Sequence, residues 1–298
     1  MTATMRQVGQ VDALVTDEIA ALTALLLASG QPVPEPVPIV VGKSYTYDVL
    51  GQERAVNVIL PPDYDEDPDK RWPIIVQLDG GTDQDLFLGN GLEKWNRLWG
   101  RSQPAILIGI QTVDRQRELL PPTSIEGERA EYPTAGESEA FRTWLANTVL
   151  PLVRERYRNN GSVILVGESA AGHFVVETWL EAPELFQGYA AISPSLQWDG
   201  QSLALTASGP VSDRPPLYLS LADEGGETEQ GMFALLGKVG EAQPYCFSDR
   251  RADLHHATSL HGLMPEALQY LLPTDADWLE EYGLALRCER GGPQPPAQ

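Results

Sequence analysis

The sequence predicts an α/β fold in which a mainly parallel central sheet is covered by helices on both faces. Short apolar runs of strand length recur between residues 40 and 272, and amphipathic segments of helical length separate them. Strands that alternate with helices build parallel sheets, because each connecting helix packs back onto the sheet. The chain has 298 residues, of which 42% are apolar, so it is long enough to bury such a core.

The predicted elements follow one another regularly from residue 40 onward. Alternating apolar and polar residues at 53–60 indicate a strand, and the turn residues Gly51 and Gln52 join it to a strand at 44–50 in an N-terminal hairpin. Buried strands are predicted at 72–78, 105–110, 163–166, 188–192 and 217–221. Apolar residues at helical spacing predict helices at 140–158, 174–180, 232–239 and 263–272.

The ends of the chain are predicted to stand apart from a domain that spans residues 39–290. Residues 1–38 combine an apolar run at 19–28 with prolines at alternate positions, which indicates a helical extension and a linker. The run is too short to span a bilayer, so we expect no membrane insertion. Acidic residues precede it, which favours the cytoplasm; an export signal to the periplasm or medium is the alternative. Residues 291–298 are typical of a disordered tail.

Charge and cysteine content narrow the classes of function. The net charge is −21 and the pI is near 4.5. Nucleic acids and anionic membranes repel such a surface, so we expect neither as a partner. Cys246 and Cys288 are the two cysteines, and neither lies in a spacing typical of a zinc site, so we expect no metal and no cofactor. They either form one disulfide or remain thiols. The sequence contains no indication of oligomeric state.

A strand, a tight turn with a central serine and a helix follow one another at residues 163–180. Ser169 stands at the apex of the turn, and Gly167 and Ala171 lie two residues before and after it. A strained turn that exposes a serine hydroxyl requires small neighbours at these two positions. The pattern therefore predicts a nucleophile elbow; an ordinary turn with a buried serine is the alternative.

A serine nucleophile needs a base, and histidine suits that task near neutral pH. The chain has four histidines. His255 and His256 lie on the loop before the last predicted helix, where this chain order places the base, and spacing favours His256. His261 lies at the start of that helix. His173 follows Ser169 by four residues and is expected to pack or to line the pocket.

A carboxylate that orients the base is expected after the strand at 217–221. Asp223 and Glu224 are both suitably placed, with Glu224 slightly favoured and Glu227 a weaker third candidate. The alternative is that these acidic residues only solvate a turn.

Two backbone N–H groups are expected to form an oxyanion hole. One belongs to Ala170, directly after the predicted nucleophile. The other is expected from Gly80 or Gly81, after the strand at 72–78. In chain order the parts are hole, nucleophile, acid and base, and all four in that order are stronger evidence than any one of them alone.

Longer phrases extend the pattern beyond these residues: ILPPDY at 59–64, PIIVQLDG at 73–80, RQRELLPPT at 115–123, PELFQGY at 183–189 and ISPSLQWD at 192–199. Together they resemble the putative esterase family of α/β-hydrolases, which includes enterochelin-type siderophore esterases and esterase D-like enzymes. The resemblance implies Ser169 as the nucleophile. It also implies His256 rather than His255 as the base, because the family histidine precedes a Ser or Thr by two residues, and Thr258 fits. The position of the family acid is occupied by Gly225, so Glu224 or Asp223 takes this role or the acid is missing.

The resemblance implies a serine carboxylic-ester hydrolase that forms an acyl-enzyme on a siderophore-type or small acyl ester. The alternatives are an acyltransferase or peptidase with the same triad, or an inactive binding protein. Arg115 and Arg117 are candidates for contact with an anionic substrate, or else form structural pairs. Trp198 is expected either to line the pocket, like His173, or to belong to the core.

Overall fold

The computed structural model describes residues 35–292, except residues 209, 210 and 212. The predicted N-terminal helix, most of the linker and the export-signal alternative therefore lie outside the described residues. The chain divides into two compact units, Met1–Val41 and Gly42–Gln298. In the first unit, the described residues 35–41 are exposed and form no helix or strand.

The second unit contains a sheet that has nine strands within the described residues. The strands are β1 (Lys43–Val49), β2 (Gln52–Ile59), β3 (Trp72–Leu78), β4 (Ile106–Ile110), β5 (Asn159–Glu168), β6 (Gly188–Ile192), β7 (Leu217–Leu221), β8 (Tyr245–Asp249) and β9 (Arg290–Gly291). Their order across the sheet is β1-β2-β4-β3-β5-β6-β7-β8-β9. Strands β3 to β8 are parallel, whereas β1, β2 and β9 pair antiparallel with their neighbours. The mainly parallel sheet and its N-terminal hairpin are confirmed.

The helices of the described residues are α1 (Leu86–Trp99), α2 (Arg115–Leu119), α3 (Glu126–Glu131), α4 (Ser138–Trp144), α5 (Leu150–Arg156), α6 (Ala170–Glu181), α7 (Trp198–Thr206), α8 (Gly226–Leu236) and α9 (Ser259–Leu271). The helix predicted at 140–158 is present as α4 and α5, which a π-helical turn at Leu145–Val149 joins with right-handed helical backbone at both junctions. Pro151 lies in the first turn of α5 and has no N–H to donate to the preceding turn, which fits the wider turn there.

Apolar side chains fill both faces of the sheet. On one face Ile74 and Val76 of β3 pack with Phe174 of α6, and on the other Ile75 of β3 packs with Leu263 of α9. Alternate residues of a strand point to opposite faces, so a strand buried on both sides is apolar throughout. Because the central strands are parallel, their carboxyl ends lie at the same end of the sheet. We call this end the open edge, and ligands bind there in such folds.

The C-terminal segment is attached to the sheet. Cys246 of β8 and Cys288 form a disulfide, which decides between the two alternatives left by the sequence. Gly291, which was predicted to start the disordered tail, pairs with Cys246 as part of β9. Residues 293–298 lie outside the described residues. Within the part of the chain that the structure describes, no helix is long and apolar enough to cross a membrane.

Candidate active site

Ser169 lies at the carboxyl end of β5, where the chain turns into α6. Its backbone has φ 60° and ψ −121°, a conformation that residues with a side chain rarely adopt. The strand and helix approach so closely that a Cβ at Gly167 would lie 2.6 Å from the backbone carbonyl of Ala171. The small residues on either side of Ser169 therefore have the steric reason that the sequence suggested.

The loops after β7 and before α9 bring Glu224 to His256. His256 Nδ1 lies 2.6 Å from Glu224 Oε1, and the Glu224 side chain is 13% exposed. Burial opposes ionisation of Glu224, but hydrogen bonds from His256 and Ser193 outweigh burial and lower the pKa of this carboxyl. The hydrogen bond to Glu224 raises the pKa of His256. The pair thus holds Nδ1–H in place and leaves Nε2 of the neutral ring as an acceptor.

The other acid and base candidates lie apart from this pair. Asp223 forms a backbone bridge with His255, whose Nδ1 lies 3.6 Å from the Asp223 carboxylate, and both side chains are exposed. Glu227 of α8 and His261 of α9 are also exposed. Glu224 is therefore the candidate acid that the structure places beside His256, and Asp223 is not.

The Ser169 hydroxyl has a different partner from the one that the sequence suggested. Ser169 Oγ lies 3.2 Å from Ser195 Oγ, and no hydrogen bond joins Ser169 to His256 among the described residues. Catalytic hydrogen bonds are often long before substrate binds and tighten afterwards. Either hydroxyl can be the donor of the contact between Ser169 and Ser195.

His173 supports the region beneath Ser169 instead of lining a pocket. It is fully buried, and its Nδ1 lies 2.9 Å from the Ser195 carbonyl oxygen. Burial lowers the pKa of His173 to about 4, so the ring is neutral near pH 7. Its predicted substrate contact is incompatible with this burial.

The two glycines proposed for the oxyanion hole differ in their hydrogen bonds. The Gly80 N–H donates to the Ile110 carbonyl at 2.8 Å and so belongs to the backbone network of the sheet. The Gly81 N–H instead donates to a side chain, at 3.0 Å from Gln84 Oε1, and so lies outside the backbone network of the sheet. Ala170 begins α6, where the first N–H groups have no acceptor within the helix. This geometry favours Ala170 and Gly81 over Gly80.

Comparison with known proteins places this geometry in a family. The model of the putative esterase family matches residues 48–232. The chain belongs to this family. Its fold is that of the α/β-hydrolases, and it is an ester hydrolase with a small-molecule ester as its substrate.

Relatives of the esterase are found among curated proteins and solved structures. Ferri-bacillibactin esterase BesA of Bacillus subtilis (strain 168) is 25% identical over 266 residues, which cover 76% of this chain and 88% of BesA. Siderophore hydrolase EstB from Aspergillus nidulans has a TM-score of 0.67 at 20% identity and covers 82% of this chain and 100% of its own. The BES protein from Bacillus cereus has a TM-score of 0.65 at 17% identity, with the same coverage of both chains. The two structures show the fold.

The two arginines of the esterase that were candidates for substrate contact, Arg115 and Arg117, form ion pairs. Both carboxylate oxygens of Asp79 accept hydrogen bonds from Arg115 Nε, at 3.0 and 2.9 Å, and Arg115 Nη2 donates to the Glu168 carbonyl. This arginine thus joins the residues directly before Gly80 and Ser169. Arg117 pairs with Glu137 at 2.8 Å. Arg115 lies beside the elbow, whereas the contact of Arg117 is with the N-terminal side of α4.

Trp198 is a core residue of the esterase. It is 5% exposed, its Nε1 donates to the Pro121 carbonyl at 2.9 Å, and its ring packs against Tyr132. Of the two interpretations that the sequence allowed, the burial fits a structural role. Among the described residues, no group of three or more His, Cys, Asp or Glu side chains is arranged to hold a metal ion.

Three residues near the site were not predicted to act there. Ser193 donates to Glu224, Ser195 contacts Ser169, and the Glu168 carboxylate accepts hydrogen bonds from Ser259 Oγ and, at 2.7 Å, from the Leu260 N–H. Burial raises the pKa of Glu168. Glu168 ends β5, Ser193 directly follows β6 and Ser195 lies two residues later, and this position at the open edge is the signal that was available from the sequence.

Proposed function

We propose that this esterase is a serine carboxylic-ester hydrolase in which Ser169 is the nucleophile, His256 the base and Glu224 the acid. The observation that carries the proposal is the strained backbone of Ser169 between β5 and α6. Such strain persists at sites where the surrounding fold requires it, and here it presents a hydroxyl at the edge that also holds the His256–Glu224 pair.

The residues suit a two-step acyl transfer. Ser169 Oγ attacks the ester carbonyl carbon while His256 Nε2 accepts its proton, and the backbone N–H groups of Ala170 and Gly81 stabilise the oxyanion. The protonated His256 then donates this proton to the departing alcohol oxygen, which leaves an acyl-enzyme on Ser169. Water that loses a proton to His256 attacks the acyl carbon, and collapse of this second oxyanion releases the carboxylic acid and returns the proton to Ser169.

The substrate class that we propose is a siderophore-type ester. The support is the similarity to ferri-bacillibactin esterase BesA, which covers most of both chains at 25% identity. A small acyl ester is the second candidate, because the same triad accepts either acyl group.

The test compares hydrolysis of a cyclic catecholate trilactone with that of p-nitrophenyl butyrate. Ser169→Ala is expected to reduce turnover of the accepted substrate by about a thousandfold or more. Ser162→Ala is the matched control, since Ser162 lies near the opposite end of β5, and it should retain wild-type turnover. Turnover retained by Ser169→Ala would overturn the proposed nucleophile. Cleavage of p-nitrophenyl butyrate alone would favour a small acyl ester, and a folded wild-type protein inactive on both would contradict both proposed substrate classes.

A further inference from the structure

A three-residue segment, Ser193-Pro194-Ser195, lies between the proposed nucleophile and the proposed acid. It directly follows β6, which lies between β5 and β7 in the sheet. Strand β5 leads into Ser169 and β7 leads toward Glu224. The segment therefore occupies the open edge between the two residues and contacts both of them.

The Ser193 hydroxyl has two hydrogen-bond partners with distinct roles. It lies 2.9 Å from the Ala222 N–H, which can only donate, so the hydroxyl oxygen is the acceptor of that bond. Its own proton is then free to be donated to Glu224 Oε1, which lies 2.7 Å away. Ser193 is 1% exposed, so water does not compete for this proton. The hydroxyl thus links the backbone at the end of β7 to the carboxylate two residues later.

The backbone of Ser193 is held in an unfavourable conformation. Its φ of 42° lies in the left-handed region, which favours glycine. The rest of the segment is fixed on the elbow: the Ser195 N–H donates to the Ser169 carbonyl at 3.0 Å, and His173 contacts the Ser195 carbonyl. A serine in this strained position supplies a hydroxyl that glycine would lack.

We propose that Ser193 is a positioning residue of the hydrolysis reaction, and that its hydroxyl fixes the Glu224 carboxylate in contact with His256. The proposal rests on the proposed function, since it requires Glu224 and His256 to act as acid and base. It also explains how the acid can stand at Glu224 instead of the expected position, Gly225. The same oxygen, Oε1, receives both Ser193 Oγ–H and His256 Nδ1–H, so loss of one donor leaves the carboxylate free to turn.

The experiment compares Ser193→Ala and Ser193→Gly with Ser248→Ala. Ser248 is a matched control, because it is a buried serine of β8 that donates to a carboxylate, Glu266, outside the proposed triad. Ser193→Gly removes the hydroxyl and suits the positive φ, so it separates loss of the hydroxyl from failure to fold. Ser169→Ala is measured alongside to test the proposed function itself.

Both Ser193 variants are expected to lower kcat about tenfold with little change in KM, because a hydrogen bond to a charged group typically contributes about that factor. Loss of this donor also weakens the contact of Glu224 with His256, which is the main cause of the raised pKa of His256, so the acidic limb of the pH profile should move to lower pH than in the wild type. His256 is the charged group that faces Glu224, and Glu168 and Arg115 act on His256 in turn. Ser248→Ala should change neither kcat nor the pH profile.

The results distinguish the two proposals. If Ser169→Ala is inactive while both Ser193 variants match Ser248→Ala in kcat and pH profile, the positioning role is refuted and the proposed function stands. If Ser169→Ala retains turnover, the proposed function itself fails. A fall in kcat and a shifted acidic limb in both Ser193 variants, with Ser248→Ala unchanged, would support the positioning role.

Discussion

Replacing Glu224 by glutamine removes the charge that acts on His256 and preserves the size of the side chain. The hydrogen bond that His256 donates to Glu224 is the main cause of the raised pKa of His256, so this pKa should fall toward its ordinary value in the variant. The base must be neutral to accept the Ser169 proton. The acidic limb of the pH profile should therefore move to lower pH, while kcat on the plateau falls because the imidazolium formed during the reaction is less stabilised.

The size of the effect follows from the contact. A hydrogen bond to a charged group contributes roughly 1.5–3 kcal/mol. The His256 side chain is 45% exposed, and solvent screening reduces the contribution to roughly 1–2 kcal/mol. We therefore expect kcat to fall by about 5-fold to 30-fold.

The assay is the hydrolysis of p-nitrophenyl butyrate between about pH 5 and 9, a range that covers histidine titration. Asp223→Asn is the matched control, because Asp223 pairs with the exposed His255, and it should leave both kcat and the acidic limb unchanged. An Asp223 variant as impaired as the Glu224 variant, or a Glu224→Gln profile identical to the wild type, would refute the assignment of the acid.

Two further predictions concern stability, and a third concerns the steric constraint at the elbow. Glu118→Gln leaves the buried guanidinium of Arg54 without its ion-pair partner and should lower the free energy of unfolding in urea by about 3 kcal/mol. Cys288→Ser opens a disulfide with a sequence separation of 42 residues, and the same measurement should show a loss of about 4 kcal/mol. Gly167→Ala should abolish esterase activity through its clash at the elbow, whereas Gly91→Ala, in an open position of α1, should stabilise by about 0.5–1 kcal/mol.

Each of these three predictions has an outcome that would contradict it. An unchanged unfolding midpoint in Glu118→Gln would mean that Arg54 finds another acceptor. Equal stability of the wild type with and without reductant would argue against the disulfide as a constraint on the unfolded chain. Full activity of Gly167→Ala would show that the elbow tolerates a side chain at that position, against the steric account.

Much of the fold could be predicted because its parallel strands are apolar throughout. Strands β3, β6 and β7 were predicted with the bounds that the structure shows. The ends of the helices were predicted less accurately than those of the strands, because they depend on contacts that the spacing of apolar residues does not report. The helix expected at 232–239 begins instead at Gly226, and the π-helical turn between α4 and α5 was not predicted.

Strand β8 and the attachment of the C-terminal segment were not predicted. The run Tyr245–Asp249 is short and contains serine and cysteine, so its pattern is weak. It is stabilised by parallel pairing with β7 and by the disulfide to a residue far along the chain, neither of which local sequence reports. Long-range contacts of this kind override local preference.

The site was predicted in its parts and less well in its contacts. The order of strands brings Ser169, Glu224 and His256 to one edge, and this placement followed from the elbow and the chain order. The backbone bridge between Asp223 and His255 decides which acid contacts His256, because it directs the Asp223 and Glu224 side chains to different partners. The hydrogen bonds of Ser193 and Ser195 depend equally on loop geometry.

The most direct test of the central claim is whether Ser169 becomes covalently modified by a fluorophosphonate. Intact-mass measurement of the wild type, Ser169→Ala and Ser195→Ala after reaction would show the number of adducts, and peptide mapping would locate them. We expect one adduct on Ser169 in the wild type, none in Ser169→Ala, and modification of Ser169 in Ser195→Ala. An adduct on another residue, or none on a folded wild-type protein, would contradict the assignment of Ser169 as the nucleophile.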